Sequence, residues 1–321
     1  MRGPGFRCVF IVLTLLSALS IFAQTRIVAI TVDDLPYAGG ALAGANTSEL
    51  ASAAELANRK LLAAFHVHHV PVTGFVIQKN VEMLGAKSGI GILNEWIRGG
   101  LDLGNHTYSH PDINVLSSEQ IEQEIVRGES TIGPLMKEAG KKLTFFRFPM
   151  NHTGDTVEKH ELIQAFLTQH GYRLATCTID NSDHLFNEAY VRMLARDDAD
   201  AAQKLRTEYL TYTSQEIDYY AALNKEVFGY EPPQVMLLHD NRLNADVIAQ
   251  VLQLFEEKRY RFASLEAAQA DAAYRTPETK VTKFGPMWGY RWARERNVKV
   301  NGSLEPDPPK WILQYGKESA R

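Results

Sequence analysis

The feature that most constrains this chain is a repeated switch in hydrophobic period. Short apolar runs, several rich in β-branched residues, alternate with stretches of about 10–20 residues whose apolar positions recur at helical spacing. The strand runs lie at residues 26–32, 72–77, 101–104, 143–148, 172–179 and 235–239. Helical stretches lie at residues 48–70, 90–97, 117–138, 156–170 and 244–258, and a last strand–helix pair covers residues 262–270. Ser117 opens one helix with Gln120 three residues on, a capping-box pair. Strands that alternate with helices bury their apolar runs as a parallel sheet covered by helices, so the fold class is α/β. A chain of 321 residues is ample for a large core.

Charge and cysteine content remove several function classes. The formal net charge is -4, and no basic stripe or nucleic-acid module is present, so a nucleic-acid partner is not expected. Arg2 and Arg7 precede a charge-free run over residues 8–23. That run is too short for a comfortable membrane span and reads as a signal peptide over residues 1–23. The mature chain is then exported to the periplasm or the extracellular space, with no stable membrane span. Cys8 lies in the signal, which leaves Cys177 alone. The exported chain has no internal disulfide and depends on its core, with Cys177 expected in a buried strand.

The polar residues with the most chemical potential sit just after strands: Asp33, Asp34, His106, Arg147, Asp180, Asp183 and His239. Parallel strands gather such ends on one face, where loops assemble a site. His106 and His110 are four apart; on a helical turn both rings would face one metal. Asp33 and Asp34 leave a strand side by side, which points them to opposite sides. One carboxylate can bind the metal while its neighbour faces the attacking water. Two histidines and a carboxylate leave the open positions that a catalytic metal needs. His66, His68 and His69 precede Pro71 and read as helix-end or surface residues.

With these residues placed, the chain resembles the polysaccharide deacetylase family, whose common unit is the NodB-homology domain (carbohydrate esterase family four). Five ordered motifs carry the resemblance: Thr31-Val32-Asp33-Asp34, His106 to His110, Arg147-Phe148-Pro149, Asp180-Asn181-Ser182-Asp183 and Leu237-Leu238-His239. It implies a distorted (β/α) barrel over residues 24–274. Two segments outside the strand–helix alternation read as a helical insertion at about residues 187–231 and an extension over residues 275–321 packed on the domain. The resemblance also implies roles. Asp34, His106 and His110 hold a divalent metal, most often zinc, with cobalt or another ion possible. Asp33 is the general base and Arg147 orients it. His239 is the general acid and Asp183 holds its ring. The Met150 backbone N–H helps to stabilise the oxyanion, and Leu237 lines the slot for the acetyl methyl.

Three departures stand out. Leu35 follows the first motif where glycine is usual, Met150 and Asn151 follow the third where an aromatic and glycine are usual, and His184 replaces the usual tryptophan after the fourth. His184 weakens the expected apolar wall of the substrate pocket. His152, close to the third motif, is a candidate for substrate contact. Tyr209, Tyr212, Tyr219 and Tyr220 in the insertion are expected to seat its helices on the barrel rather than stack on sugar rings. The implied activity is removal of acetyl groups from the N-acetylated sugars of a peptidoglycan- or chitin-like polysaccharide. An O-acetyl esterase on xylan-like polymers would use the same residues. An inactive carbohydrate-binding homologue would need neither base nor acid, and a non-sugar amidase is a more distant alternative.

Overall fold

The computed structural model describes residues 25–39 and 46–317; the expected signal peptide lies outside them. Eight strands are present among these residues: β1 (Arg26–Leu35), β2 (Val72–Val76), β3 (Asp102–Asn105), β4 (Phe145–Phe146), β5 (Arg173–Leu174), β6 (Ile179–Asp180), β7 (Gln234–His239) and β8 (Tyr260–Phe262). Every ladder is parallel, in the order β5-β4-β3-β2-β1-β7-β6, with β8 paired to Arg26–Val28 at the start of β1.

The connection from β5 to β6 fixes the shape of this sheet. These strands are consecutive in sequence yet stand at opposite ends of the order. Seven strands spaced about 4.8 Å apart would put the edges of a flat sheet roughly 29 Å apart. The chain from Leu174 to Ile179 can span only about 17 Å. The sheet must therefore curl until its edges approach, and a distorted barrel results. One strand face carries Val28, Ile30 and Val32 against the surrounding helices, in a cluster with Leu61, Phe65, Ile248 and Phe255. The alternate face packs Ala29, Phe75, Phe145, Ala175 and Val235 inside the curl, with Leu265 and Ala268. No helix among the described residues is long and apolar enough to cross a membrane.

Sequence periodicity located the long elements closely and the short ones poorly. The helices Thr47–Val67, Ser118–Glu138 and Val157–Gln169 match expectation, and the Ser117–Gln120 capping box forms. The run at residues 172–179 does not form one strand. It divides into β5 and β6, and Cys177 lies between them, fully buried, with burial pushing its thiol up to about 12. The helix Gln78–Gly85 went unread because half of its residues are polar.

The segment after β6 forms two helices, Asp183–Ala195 and Ala199–Phe228. Tyr209, Tyr212 and Tyr220 are buried, and their hydroxyls bond to the protein. Tyr209 donates to Asn244 Oδ1 at 2.6 Å and accepts from Asn181 Nδ2 at 2.7 Å. Tyr212 donates to Pro306 O at 3.2 Å, and Tyr220 to Glu305 at 2.5 Å. These rings fasten the helix to the barrel and to the C-terminal segment, as expected. Tyr209→Phe leaves the buried amides of Asn181 and Asn244 short of a partner. It should cost about 1–3 kcal/mol, read from the midpoint of a urea transition.

Candidate metal centre and active site

The ends of β1, β3, β4 and β7 deliver the predicted residues to one place. Asp33 on β1 is the register partner of His239 on β7, and Thr31 is the partner of Leu237. Arg147 follows β4, and its N–H bonds to Asn105 O at 3.0 Å, which seats it beside the end of β3. A cavity of about 540 Å³ opens over these ends. Asp33, Asp34, His106, His110, Met150, His184, Leu237 and His239 all line it. Arg147 and Asp183 lie behind the wall, each almost wholly buried.

Two sequence expectations about local geometry give way here. Strand alternation would send Asp33 and Asp34 to opposite sides. In the fold, Asp34 takes a positive φ of 67°, and the register of β1 against β2 shifts between Val32 and Leu35. The chain turns at Asp34, so both carboxylates approach one imidazole. Asp34 Oδ1 lies 3.4 Å and Asp33 Oδ2 3.6 Å from His106 Nε2. The second expectation was a helical turn over His106–His110. The segment is instead a loop with Thr107 at φ 73° and His110 at φ 57°. Asn105 pins this loop by accepting from Thr107 N at 2.8 Å and donating to Ile125 O at 2.8 Å. Glu124 fixes its far side through Ser109 N at 2.8 Å. The two rings still meet, with centroids 4.9 Å apart.

Asp34, His106 and His110 are grouped so that they could hold a metal ion. One donor atom from each lies within 4.8 Å of the others. His110 Nε2 is 3.6 Å from the same Asp34 Oδ1 that faces His106. Donors about 2 Å from one tetrahedral ion stand roughly 3.3 Å apart, close to these separations. Asp34 Oδ1 is buried without a hydrogen bond. Burial acts against its charge, but His106, His239 and His110 hold the carboxyl well below its usual range. His106 Nδ1 lies 2.8 Å from Arg147 O, and a carbonyl only accepts, so Nδ1 carries the proton. That leaves the Nε2 lone pair for the ion. Burial, then the neighbouring His106, lowers the His110 pKa and favours the neutral ring that a ligand needs.

Two polar pairs flank this cluster. Arg147 Nη1 donates to Asp33 Oδ1 at 2.7 Å and to Thr31 Oγ1 at 2.7 Å, and the guanidinium sits 4.3 Å over the Phe75 ring. Asp33 Oδ2 stays turned toward the cluster. On the other side, His239 Nδ1 bonds to Asp183 Oδ1 at 2.6 Å, and His239 N donates to Asp183 Oδ2 at 2.7 Å. Burial alone would drive the His239 pKa down. The charge and hydrogen bond of Asp183, with Asp34 and Asp33 beyond, raise it well above the ordinary value.

Sequence reasoning missed several contributors. Asn241 and Asn244 both donate to Asp183 Oδ2. Their positions at the start of the helix Arg242–Glu257, just after the fifth motif, were the available signal. Gly285 and Met287 line the cavity from the C-terminal segment, where no motif marked them. His184 is exposed at the cavity mouth, its ring 6.0 Å from that of His239. His152 does not line the cavity; it bonds to Asp112 at 2.8 Å. His106→Ala, His110→Ala and Asp34→Asn should each weaken Zn²⁺ binding by at least the ~10–100-fold that losing an outer-shell partner costs. Asp33→Asn should leave it nearly unchanged; titration calorimetry on the metal-stripped protein reads both.

The description "Polysaccharide deacetylase" belongs to the family model that matches residues 23–175, a stretch containing the first three motifs. No curated protein matches the chain. Among solved structures, the chain is similar to wild-type BA3943, a CE4 family pseudoenzyme from Bacillus anthracis. That match has 13% identity and a TM-score of 0.50, and covers 76% of this chain and 66% of that one. A BA3943 mutant with restored enzymatic activity matches at 15% identity and a TM-score of 0.50, over 76% and 68% of the two chains. A family 4 carbohydrate esterase from Streptomyces lividans, in complex with acetate, matches at 17% identity and a TM-score of 0.47, over 76% and 95%. At such identities the BA3943 structures speak for the fold alone. Residues 23–175, which bring the motifs of Asp33–Asp34, His106–His110 and Arg147 to one site, match the polysaccharide deacetylase family.

Proposed function

We propose that this chain is a metal-dependent hydrolase that removes acetyl groups from the N-acetylated sugars of a peptidoglycan- or chitin-like polysaccharide. One observation carries the reading. Asp34, whose buried Oδ1 makes no hydrogen bond, and two imidazoles stand between an arginine-held carboxylate and an aspartate-held imidazole at one cavity. Bound at Asp34, His106 and His110, a divalent cation such as Zn²⁺ supplies Lewis-acid polarisation and acidifies water.

The remaining steps belong to the protein's own groups. Asp33 accepts the proton of the attacking water on Oδ2, because Oδ1 is engaged by Arg147. The N–H of Met150 at the cavity stabilises the oxyanion formed at the acetyl carbon. His239 holds its Nδ1 proton against Asp183, which leaves the Nε2 proton for the departing nitrogen. An amine leaves poorly unless protonated, so amide cleavage depends on this acid. An O-acetyl esterase would use the same set but depend on His239 less. Retention of both base and acid argues against a purely sugar-binding role. Export to the periplasm or outside the cell is part of the proposal and rests on the charge-free run at residues 8–23.

Two variants test the assignment. Asp33→Asn should lose ~10²–10⁴-fold in turnover; near-parent turnover would remove Asp33 as the base. His239→Ala should lose at least tens-fold more on an N-acetylated sugar than on an activated aryl acetate, whose phenolic oxygen leaves without a proton. Equal losses on both substrates would mean that His239 positions groups and donates nothing.

The pH profile of amide cleavage should be bell-shaped. His239 works as the protonated acid, so activity falls as pH rises through its raised pKa. Asp183→Asn removes the nearest charge supporting that proton and should move the alkaline limb to lower pH. A limb that stays in place would assign it to another group.

A further inference from the structure

The turn at Met150 and Asn151 is left-handed at both residues, and methionine is ill suited to it. Met150 has φ 54° and Asn151 φ 53°, a left-handed pair with no glycine. A side chain at either position opposes that conformation, methionine more than asparagine. Asn151 N bonds back to Phe148 O at 3.2 Å and His152 N to Pro149 O at 3.1 Å, while the Met150 N–H has no acceptor among the described residues. The local bonds close the turn but do not account for its stability. Support comes from about 140 residues further along the chain.

Arg291, on the helix Trp288–Glu295, is almost wholly buried against this turn. Its Nη2 donates to Asn151 O at 2.5 Å, and its Nη1 to Thr153 Oγ1 at 2.9 Å and to Glu278. Its Nε donates to Pro286 O at 3.0 Å, which folds residues 284–287 back over the turn. Gly285 then lies so close to the Met150 carbonyl that a Cβ there would overlap its oxygen. Asn114 Nδ2 donates to Lys283 O at 2.9 Å and anchors the other end of the segment beside the third-motif loop. Gly285 and Met287 reach the cavity wall itself.

We infer that Arg291 and the 284–287 segment are positioning elements of the active site: they hold the Met150–Asn151 turn left-handed so that the Met150 N–H points at the developing oxyanion. This rests on the deacetylase reading for its chemical consequence, though not for the clamp itself. The C-terminal extension thereby does the work that an intrinsic glycine would do in the turn. Arg291 touches no reacting atom and acts only through the backbone of Met150 and Asn151.

The test uses the full chain loaded with Zn²⁺ and two variants, Arg291→Ala and Gly285→Ala. Hydrogen exchange by mass spectrometry reads the turn directly. Peptides covering 148–153 should exchange at least tenfold faster in Arg291→Ala, with those covering 105–111 unchanged. Equal exchange at 148–153 overturns the clamp, whatever the activity of the parent.

Kinetics on an aryl acetate and on an N-acetylated chitooligosaccharide read the consequence. An oxyanion donor is worth ~10²–10³-fold in kcat, so both variants should lose tens-fold or more in kcat on both substrates with little change in KM. Methylguanidinium in solution should restore part of the kcat of Arg291→Ala and none of Gly285→Ala. A folded Arg291→Ala with faster exchange but parent kcat would overturn the catalytic role. Should Arg291→Ala not fold, Gly285→Ala, which keeps every Arg291 bond donor, decides by the same kcat criterion. A parent inactive on both substrates would overturn the deacetylase reading and, with it, the oxyanion role; the exchange data would still decide the clamp.

Discussion

The site depends on the burial of one positive charge. Arg147 is fully enclosed, beneath the ends of the central strands. A guanidinium cannot shed its proton in a protein, so burial obliges the fold to provide a partner. Asp33 provides it at 2.7 Å, with Thr31 at the same distance, and the Phe75 ring covers the flat face. The same residue offers its carbonyl to His106 Nδ1 and thereby fixes which nitrogen of that ring faces Asp34. One residue thus orients the candidate base through its side chain and a candidate metal ligand through its backbone. Removing Asp33 would strand a buried charge, a change of about 3–5 kcal/mol in typical cases. Asparagine at Asp33 keeps an acceptor and is the gentler probe.

The legibility of the sequence followed from how much each feature depends on local chemistry. The parallel α/β class came from periodicity, because a strand buried on both faces must read as an apolar run. The convergence of Asp33, His106, Arg147 and His239 came from topology, because parallel strands end on one side. Finer geometry was hidden. Nothing in Thr31-Val32-Asp33-Asp34 announces that Asp34 turns left-handed, and that turn defeats the alternation rule. The rings of His106 and His110 do meet, but not by the helical turn that their spacing suggested. A loop with positive φ at Thr107 and His110, pinned by Asn105 and Glu124, replaces the helical turn. The division of residues 172–179 into β5 and β6 is a demand of barrel closure, which no local window contains.

The least legible parts are those supplied from afar. Asn241 and Asn244 brace Asp183, and Tyr209 braces Asn244 from the helix Ala199–Phe228. A buried carboxylate opposite an imidazole needs such donors, since each unsatisfied lone pair in a low-dielectric wall is costly. The result is a chain of contacts from the helix Ala199–Phe228 to the ring of His239. Of the tyrosines that could have been read as sugar platforms, Tyr209 takes part in this bracing and Tyr212, Tyr219 and Tyr220 bond to the C-terminal segment; none of the four lines the cavity. His184, expected to weaken the apolar wall of the pocket, stands exposed at the mouth.

If Asp34, His106 and His110 hold a metal as proposed, acetyl removal depends on that metal. The most direct measurement is acetate release from N-acetylated chitooligosaccharides, peptidoglycan and acetylxylan by the parent protein as prepared, after stripping with a chelator, and after reloading with Zn²⁺ or Co²⁺. The expected result is release from an N-acetylated substrate that disappears on stripping and returns on reloading. Undiminished release by the metal-free protein, or no release from any of the three substrates in the reloaded one, would contradict it.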